Sequence, residues 1–254
     1  MQFVSVSGIL SLSEQDLLVI NANDRERYLE LETQVISKQR VADLGEVLTG
    51  RREVEAMLDL VQSETARIDS RFLEPACGNG NFLSAVLERK LAVVEQKYKR
   101  SQIEFERYAI LAAGSIYGID ILFENVQACQ MRLLVLFDQT YTRLYKQKAK
   151  DRCREAVRFI LGKNIVCGDA LTLSTCEIPP RPIIFSQWTL LRGKFIRTDY
   201  AFRDLSQPDE KSRTNLFAKT EGVVDRDTGD TGFIPVPVRS DFPPVSYWEL
   251  ADVE

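Results

Sequence analysis

The sequence predicts an α/β fold: a doubly wound, mostly parallel sheet, with helices at its N-terminal side and an irregular β or extended tail at its C-terminal end. Three observations predict it. Short apolar runs at Phe72-Leu73, at 115–122 and at 164–171 each end in a carboxylate: Glu74, Asp120 and Asp169. Helical patterns fill the intervals between them. The first run opens into a glycine-bearing turn, Cys77-Gly78-Asn79-Gly80-Asn81, directly before a helical pattern that begins at Phe82-Leu83. Glycines there let the backbone take φ > 0 and let a ligand come close. The free N–H groups of the helix start favour an anionic or hydrogen-bond-accepting ligand.

In chain order, residues 1–12 are short, apolar and β-branched, and Ser13-Glu14-Gln15-Asp16 is a helix-start signal. Residues 23–40 read as a helix capped by Asn23 or Asp24, with Tyr28, Leu31, Val35 and Ile36 near one face. That face suits either the core or a partner. From Arg51, Val54, Met57, Leu58 and Val61 follow the spacing of a second helix, for which Thr49 is the expected N-cap. Phe82 to Lys97 is a helix with Phe82, Val86, Leu87, Leu91 and Val94 as its stripe, and 101–114 continues helically. Residues 123–138 are helical through Val126, Cys129, Leu133, Leu134 and Phe137, and a lysine-bearing helical segment runs to Leu161. After Thr175 the pattern alternates around Arg192-Gly193, which predicts a hairpin. Residues 203–232 read as a polar, turn-rich loop. The tail, with Pro235, Pro237, Pro243 and Pro244, reads as extended chain. The chain divides into a helical extension (1–40), a ligand-binding domain (41–205) and a polar loop with a proline-rich tail (206–254).

Composition removes several kinds of chemistry. The 254 residues contain no histidine, so Ser-His-Asp and Cys-His nucleophilic catalysis and His-ligated metals are out. Five cysteines without CxxC spacing read as free thiols in a reducing cytosol, with no zinc site and no other metal predicted. A net charge of −4 provides no global field for nucleic acid. No apolar run approaches the roughly 18–20 residues of a membrane span, and no secretory signal is expected at the N-terminus.

Glycine turns occur in many folds, and this one has Leu83 where the dinucleotide fingerprint G-x-G-x-x-G has its third glycine. Asp120 and Asp169 read either as acceptors for a ribose diol and an exocyclic amine or as helix N-caps.

Taken together, the strand tips resemble the S-adenosylmethionine-binding motifs of the N6-adenine-specific DNA methyltransferases of restriction-modification systems. Glu74-Pro75-Ala76-Cys77-Gly78-Asn79-Gly80-Asn81-Phe82 is similar to that family's first motif, which surrounds the methionine part of the cofactor. Asp120, followed by Ile121 in YGIDI, matches the acidic residue that holds the ribose hydroxyls. Asp169, followed by Ala170 in CGDAL, matches the residue that reads the cofactor's adenine amine. GEVLTG at 45–50 is similar to the family's G-x-[FY]-[FY]-T-P segment, with Thr49 at its threonine, Val47 and Leu48 for the aromatic pair and Gly50 for the proline. The likeness covers residues 40–175.

The resemblance implies a Rossmann-like methyltransferase fold and S-adenosyl-L-methionine as cofactor. It implies methyl transfer to adenine N6 in DNA as part of restriction-modification, in the cytoplasm. The implied partners are DNA, met directly or through a separate recognition module, and a partner subunit or second copy; no membrane is implied. One departure stands out. The family's catalytic [DNS]-P-P-[YFW] signature is missing after Pro182-Ile183-Ile184-Phe185, where the chain reads Ser186-Gln187-Trp188. Ser186 as the polar acceptor and Trp188 as the stacking ring are the catalytic candidates; a plain hairpin with a buried Trp is the alternative. Lys163, Arg192, Lys194, Arg197 and Arg203 form the best local basic cluster, read as phosphate contacts or as a solvated face. Two further readings compete: a catalytically silent cofactor-binding subunit or fragment of a larger assembly, and a dinucleotide-dependent oxidoreductase.

Overall fold

The computed structural model describes residues 50–206, 221–224, 231–234 and 236–252. Thr49, the GEVLT residues before Gly50 and the helices expected before them lie outside the described residues. The chain is mixed α/β. In order it forms α1 (Arg51–Leu60), α2 (Gln62–Thr65), β1 (Phe72–Glu74), α3 (Asn81–Tyr98), α4 (Gln102–Gly114), β2 (Ile116–Asp120), α5 (Phe123–Tyr145), a 3-10 turn (Lys146–Lys148), α6 (Asp151–Asn164), β3 (Ile165–Asp169) and β4 (Ser174–Thr175). Then follow β5 (Ile184–Leu191), β6 (Lys194–Ala201), α7 (Phe202–Ser206), the β7 (Glu221–Val224) and β8 (Thr231–Ile234) hairpin, and a 3-10 segment (Tyr247–Asp252). The β7–β8 hairpin falls in the stretch read as a polar loop. The N-cap of α1 is Gly50, not Thr49.

The main sheet has the order β1-β2-β3-β4, with β1-β2 and β2-β3 parallel and β4 antiparallel. Alternation along β2 sorts its two faces. Ile116 joins Ile165 and the buried stripes of α3, α4, α5 and α6 in the main core. Tyr117 and Ile119 pack with Ile183, Phe185 and Phe202 in a second cluster on the other face. Helices α3 to α6 therefore cover one face, and the start of the β5–β6 hairpin together with Phe202 of α7 covers the other. A doubly wound sheet has helices on both faces and a reversal in strand order; among the described residues the four strands of this sheet follow one another in chain order.

The reason lies between Asp169 and Ile184. A parallel return needs a crossover of a dozen or more residues, usually a helix. This interval has no helix, only β4 and a proline-bearing turn. The chain leaves β4 at the carboxyl end of the sheet, where the Ile183 N–H donates to the Leu173 carbonyl. From there β5 runs back against the direction of β2 and β3. Ile183 lies on Gly168, the Phe185 ring is 5.2 Å from that of Tyr117, and Trp188 packs on Gly114, ahead of the β2 start. Arg192 (φ 50°) and Gly193 (φ 79°) make the tight turn to β6 as predicted, the positive φ at both positions being what a two-residue hairpin loop requires.

Residues 236–246 of the tail run extended, as expected, whereas Tyr247–Asp252 turn into a 3-10 segment that the reading as extended chain did not include. The tail bridges β6 at Phe195–Val245 and at Asp199–Arg239. It then places Tyr247 and Leu250 in the main core. Tyr247 donates to Glu106, a fully buried carboxylate that also accepts from Tyr141, Lys150 and Gln102. Among the described residues, no helix is long and apolar enough to cross a membrane.

Candidate functional site

The glycine loop joins β1 to α3 at the carboxyl end of the sheet. Three backbone hydrogen bonds tie it down. The Cys77 N–H donates to the Ile119 carbonyl (2.9 Å), the Gly80 N–H to the Cys77 carbonyl (2.9 Å) and the Ser84 N–H to the Gly80 carbonyl (2.8 Å). Arg132 donates to the Asn81 side chain, clamping the start of α3 to α5.

Gly78 (φ 50°) and Gly80 (φ 87°) both occupy the left-handed region that L side chains avoid. Their surroundings differ. A Cβ on Gly80 would lie 2.8 Å from the Cys129 sulfur, whereas a Cβ on Gly78 would meet nothing within 4 Å. Gly80 thus serves packing, and Gly78 presents bare backbone to open space. Asn79 Oδ1 is buried in the same loop without a partner, an acceptor suited to a ligand N–H.

Asp120 stands at the tip of β2 and binds this loop directly. Its Oδ2 accepts from the Gly78 N–H (2.9 Å); its Oδ1 accepts from the Leu122 N–H (2.9 Å) and from Asn125 Nδ2 (3.2 Å). The two sequence readings, cap and ligand acceptor, therefore coexist. An ionised carboxylate has about four acceptor positions, so these bonds leave room on Oδ2 for one hydroxyl rather than for both of a diol. Asp169 ends β3 on the same face, since Asp120 pairs with Cys167 in the parallel register and Asp169 has the parity of Cys167. Its Oδ1 accepts from the Leu171 N–H (2.8 Å). Glu74, Gly78, Asp120 and Asp169 accordingly gather at one end of the sheet.

Ionisation there is shaped by burial. The Glu74 carboxyl is held above its ordinary range by burial, opposed by the Ala76 N–H. The Cys77 thiol is pushed far up by its hydrogen bond with Cys129 and by burial. Cys77 is thus a protonated packing group and no nucleophile.

The strand-tip carboxylates are followed by exposed apolar side chains that sequence reading passed over, Ile121 excepted. Ile121 is 62% exposed, Phe123 57% and Leu171 94%. Large hydrophobics left in water beside convergent polar groups mark a binding surface more than a folding need. The available signal was an apolar residue one to three positions after each strand-tip Asp. Pro75, Ala76, Phe82 and Ala170 flank the same turns; Phe82 is half-buried against the main core.

The catalytic candidates do not join this end. Ser186 and Trp188 are only 2% and 5% exposed. Ser186 Oγ donates to Asp199 (2.7 Å) and accepts from Arg197, and the Ser186 N–H donates to Asn164, at the amino end of β3. Trp188 stacks edge-on to Phe159 and fills the space over Gly114. The reversed direction of β5 explains both: it carries its later residues away from the glycine loop. Arg197 is also withdrawn from any phosphate role, paired with Asp199 (2.8 Å) and lying 4.2 Å from the Phe242 ring centre. A cleft of about 590 Å³ opens at this amino end, lined by Arg67, Arg71, Tyr117, Gln187 and Trp188 among others; it is separate from the strand-tip site.

Comparison with protein-family models, with curated proteins and with solved structures returns no match. The functional reading rests on this geometry and on the motif resemblance.

Proposed function

We propose that the strand tips bind S-adenosylmethionine, and that the chain is the cofactor-binding domain of an adenine-N6 DNA methyltransferase of restriction-modification type. One observation carries the reading. Gly78, with open space before it, is hydrogen-bonded to Asp120 beside the exposed Ile121 and Phe123, and the exposed Leu171 follows the next strand-tip carboxylate. In this reading the bare backbone at Gly78 admits the methionine part. Asp120 Oδ2 takes a ribose hydroxyl. Ile121, Phe123 and Leu171 cover the adenine faces, and Asp169 accepts from its amine. Glu74 and Asn79 Oδ1 offer acceptors to the ammonium group. The cofactor supplies an electrophilic sulfonium methyl, whose transfer is an in-line displacement that needs positioning more than acid–base groups.

A second reading, the catalytically silent cofactor-binding subunit, is favoured by the direction of β5, which leaves Ser186 and Trp188 buried at the far end. Two measurements test these readings. S-adenosylmethionine should raise the melting temperature of the protein. Ile121→Glu, on an exposed side chain, should abolish that rise without moving the unliganded melting temperature; an equal rise in both proteins would sink the site assignment. Methyl incorporation into mixed-sequence DNA then separates the two readings: incorporation supports the active domain, and its absence with binding intact supports the silent one.

A further inference from the structure

Two thiols meet at the mouth of the strand-tip site. The β3–β4 register pairs Gly168 with Thr175 and Asp169 with Ser174, so the next opposed pair is Cys167 and Cys176. The Cys176 N–H donates to the Cys167 carbonyl (3.2 Å). Both thiols donate to one acceptor, the Ile121 carbonyl, at 3.5 Å and 3.4 Å. Directly opposed antiparallel residues have Cα atoms about 4.5–5.5 Å apart, inside the roughly 4.4–6.8 Å that a disulfide spans. Cys176 is exposed and Cys167 half-buried, whereas Cys77, Cys129 and Cys153 are buried.

We propose that Cys167 and Cys176 form a reversible modification site, a dithiol that closes to an intramolecular disulfide by exchange with a small-molecule disulfide such as oxidised glutathione. Cys176 is the entry thiol. Its thiolate attacks one sulfur of oxidised glutathione and displaces one glutathione thiolate, leaving a mixed disulfide on Cys176. The Cys167 thiolate then attacks the Cys176 sulfur, forms the Cys167–Cys176 bond and displaces the second glutathione. Two protein thiols are oxidised and one glutathione disulfide is reduced; the two expelled glutathione thiolates take up the two protons and leave as thiols. Burial, and then the hydrogen bond with Cys176, push the Cys167 thiol up to about 12. This makes it a poor first nucleophile, and its fixed place opposite Cys176 suits it to the intramolecular second step. Closure removes both S–H donors from the Ile121 carbonyl, next to Asp120, so the modification acts on the mouth of the site whatever ligand that site takes.

The test treats the native full chain with oxidised glutathione and maps unreduced peptides by mass. The expected product is one Cys167–Cys176 link, lighter by two hydrogens and reopened by dithiothreitol, with Cys77, Cys129 and Cys153 unmodified. Cys167→Ser should stop at a glutathione adduct on Cys176, and Cys176→Ser should react at neither position. A wild-type protein that keeps a lasting glutathione adduct on Cys176, or that links a different pair of cysteines, overturns the proposal. So does one that does not react in its native state.

Discussion

Gly78 and Gly80 share a backbone conformation and are two residues apart, yet substitution should separate them. Alanine at Gly78 meets only the left-handed strain, about 1–2 kcal/mol. Alanine at Gly80 adds a collision with Cys129, for which overpacking costs a further ~1–3 kcal/mol. Chemical denaturation should therefore rank Gly80→Ala well below Gly78→Ala, and equal losses would contradict the packing described. A second residue-scale test concerns Lys90. It is fully buried at the amino end of the sheet, donating to the Arg67, Ile68 and Ser70 carbonyls and to Ser115 Oγ. Burial, opposed by Asp69 and Glu64, lowers it from 10.5 to about 7. Above that value the folded protein has released a proton that the unfolded chain still binds, so this group makes stability rise with pH from about 7 towards 10.5. The displaced thiols act in the opposite direction above their ordinary value. Denaturation midpoints between about pH 7 and 8.5 should thus climb more steeply in the native protein than in Lys90→Met, which should also be less stable throughout because buried acceptors lose their donor. Parallel profiles would refute the assignment.

At the scale of elements, Glu106 is the point at which the tail is fastened to α4, α5 and α6. Burial alone would raise its carboxyl, but hydrogen bonds from Tyr141, Tyr247, Lys150 and Gln102 outweigh that and hold it below the usual range. Its stabilisation is present above the ordinary carboxyl value of 4.5 and is lost as pH falls through the lower folded value. Glu106→Gln should cost about 3 kcal/mol at neutral pH, as breaking a buried charged network does, and should flatten the acid limb of the stability curve. An unchanged acid limb would show that the network contributes nothing. The elements up to β3 were legible because each stripe repeats at helical spacing and each strand is bounded by a carboxylate. The β5–β6 hairpin was legible from Arg192-Gly193. Its direction was not taken from the sequence, although the missing helix between Asp169 and Ile184 rules out a parallel return. The buried roles of Lys90 and Glu106 had no local signal, because a charged residue in a helix reads as solvated until tertiary contacts surround it. Asp120, by contrast, read as both cap and ligand acceptor, and its carboxylate has capacity for both.

The described residues form a layered α/β body whose two ends differ. The carboxyl end holds the glycine loop, the carboxylates and the exposed apolar side chains. At the amino end, Asn164, Ser186 and Trp188 are buried, and a cleft lined by Arg67 and Arg71 opens beside them. We propose that the carboxyl end is shaped for a methyl-donating nucleoside. Calorimetric titration of the full chain with S-adenosylmethionine, and separately with NAD, tests it most directly. The expected result is one-to-one binding of S-adenosylmethionine, weakened about tenfold or more by Asp120→Ala, and no heat from NAD. Binding of NAD in its place, or no binding of S-adenosylmethionine, would contradict it.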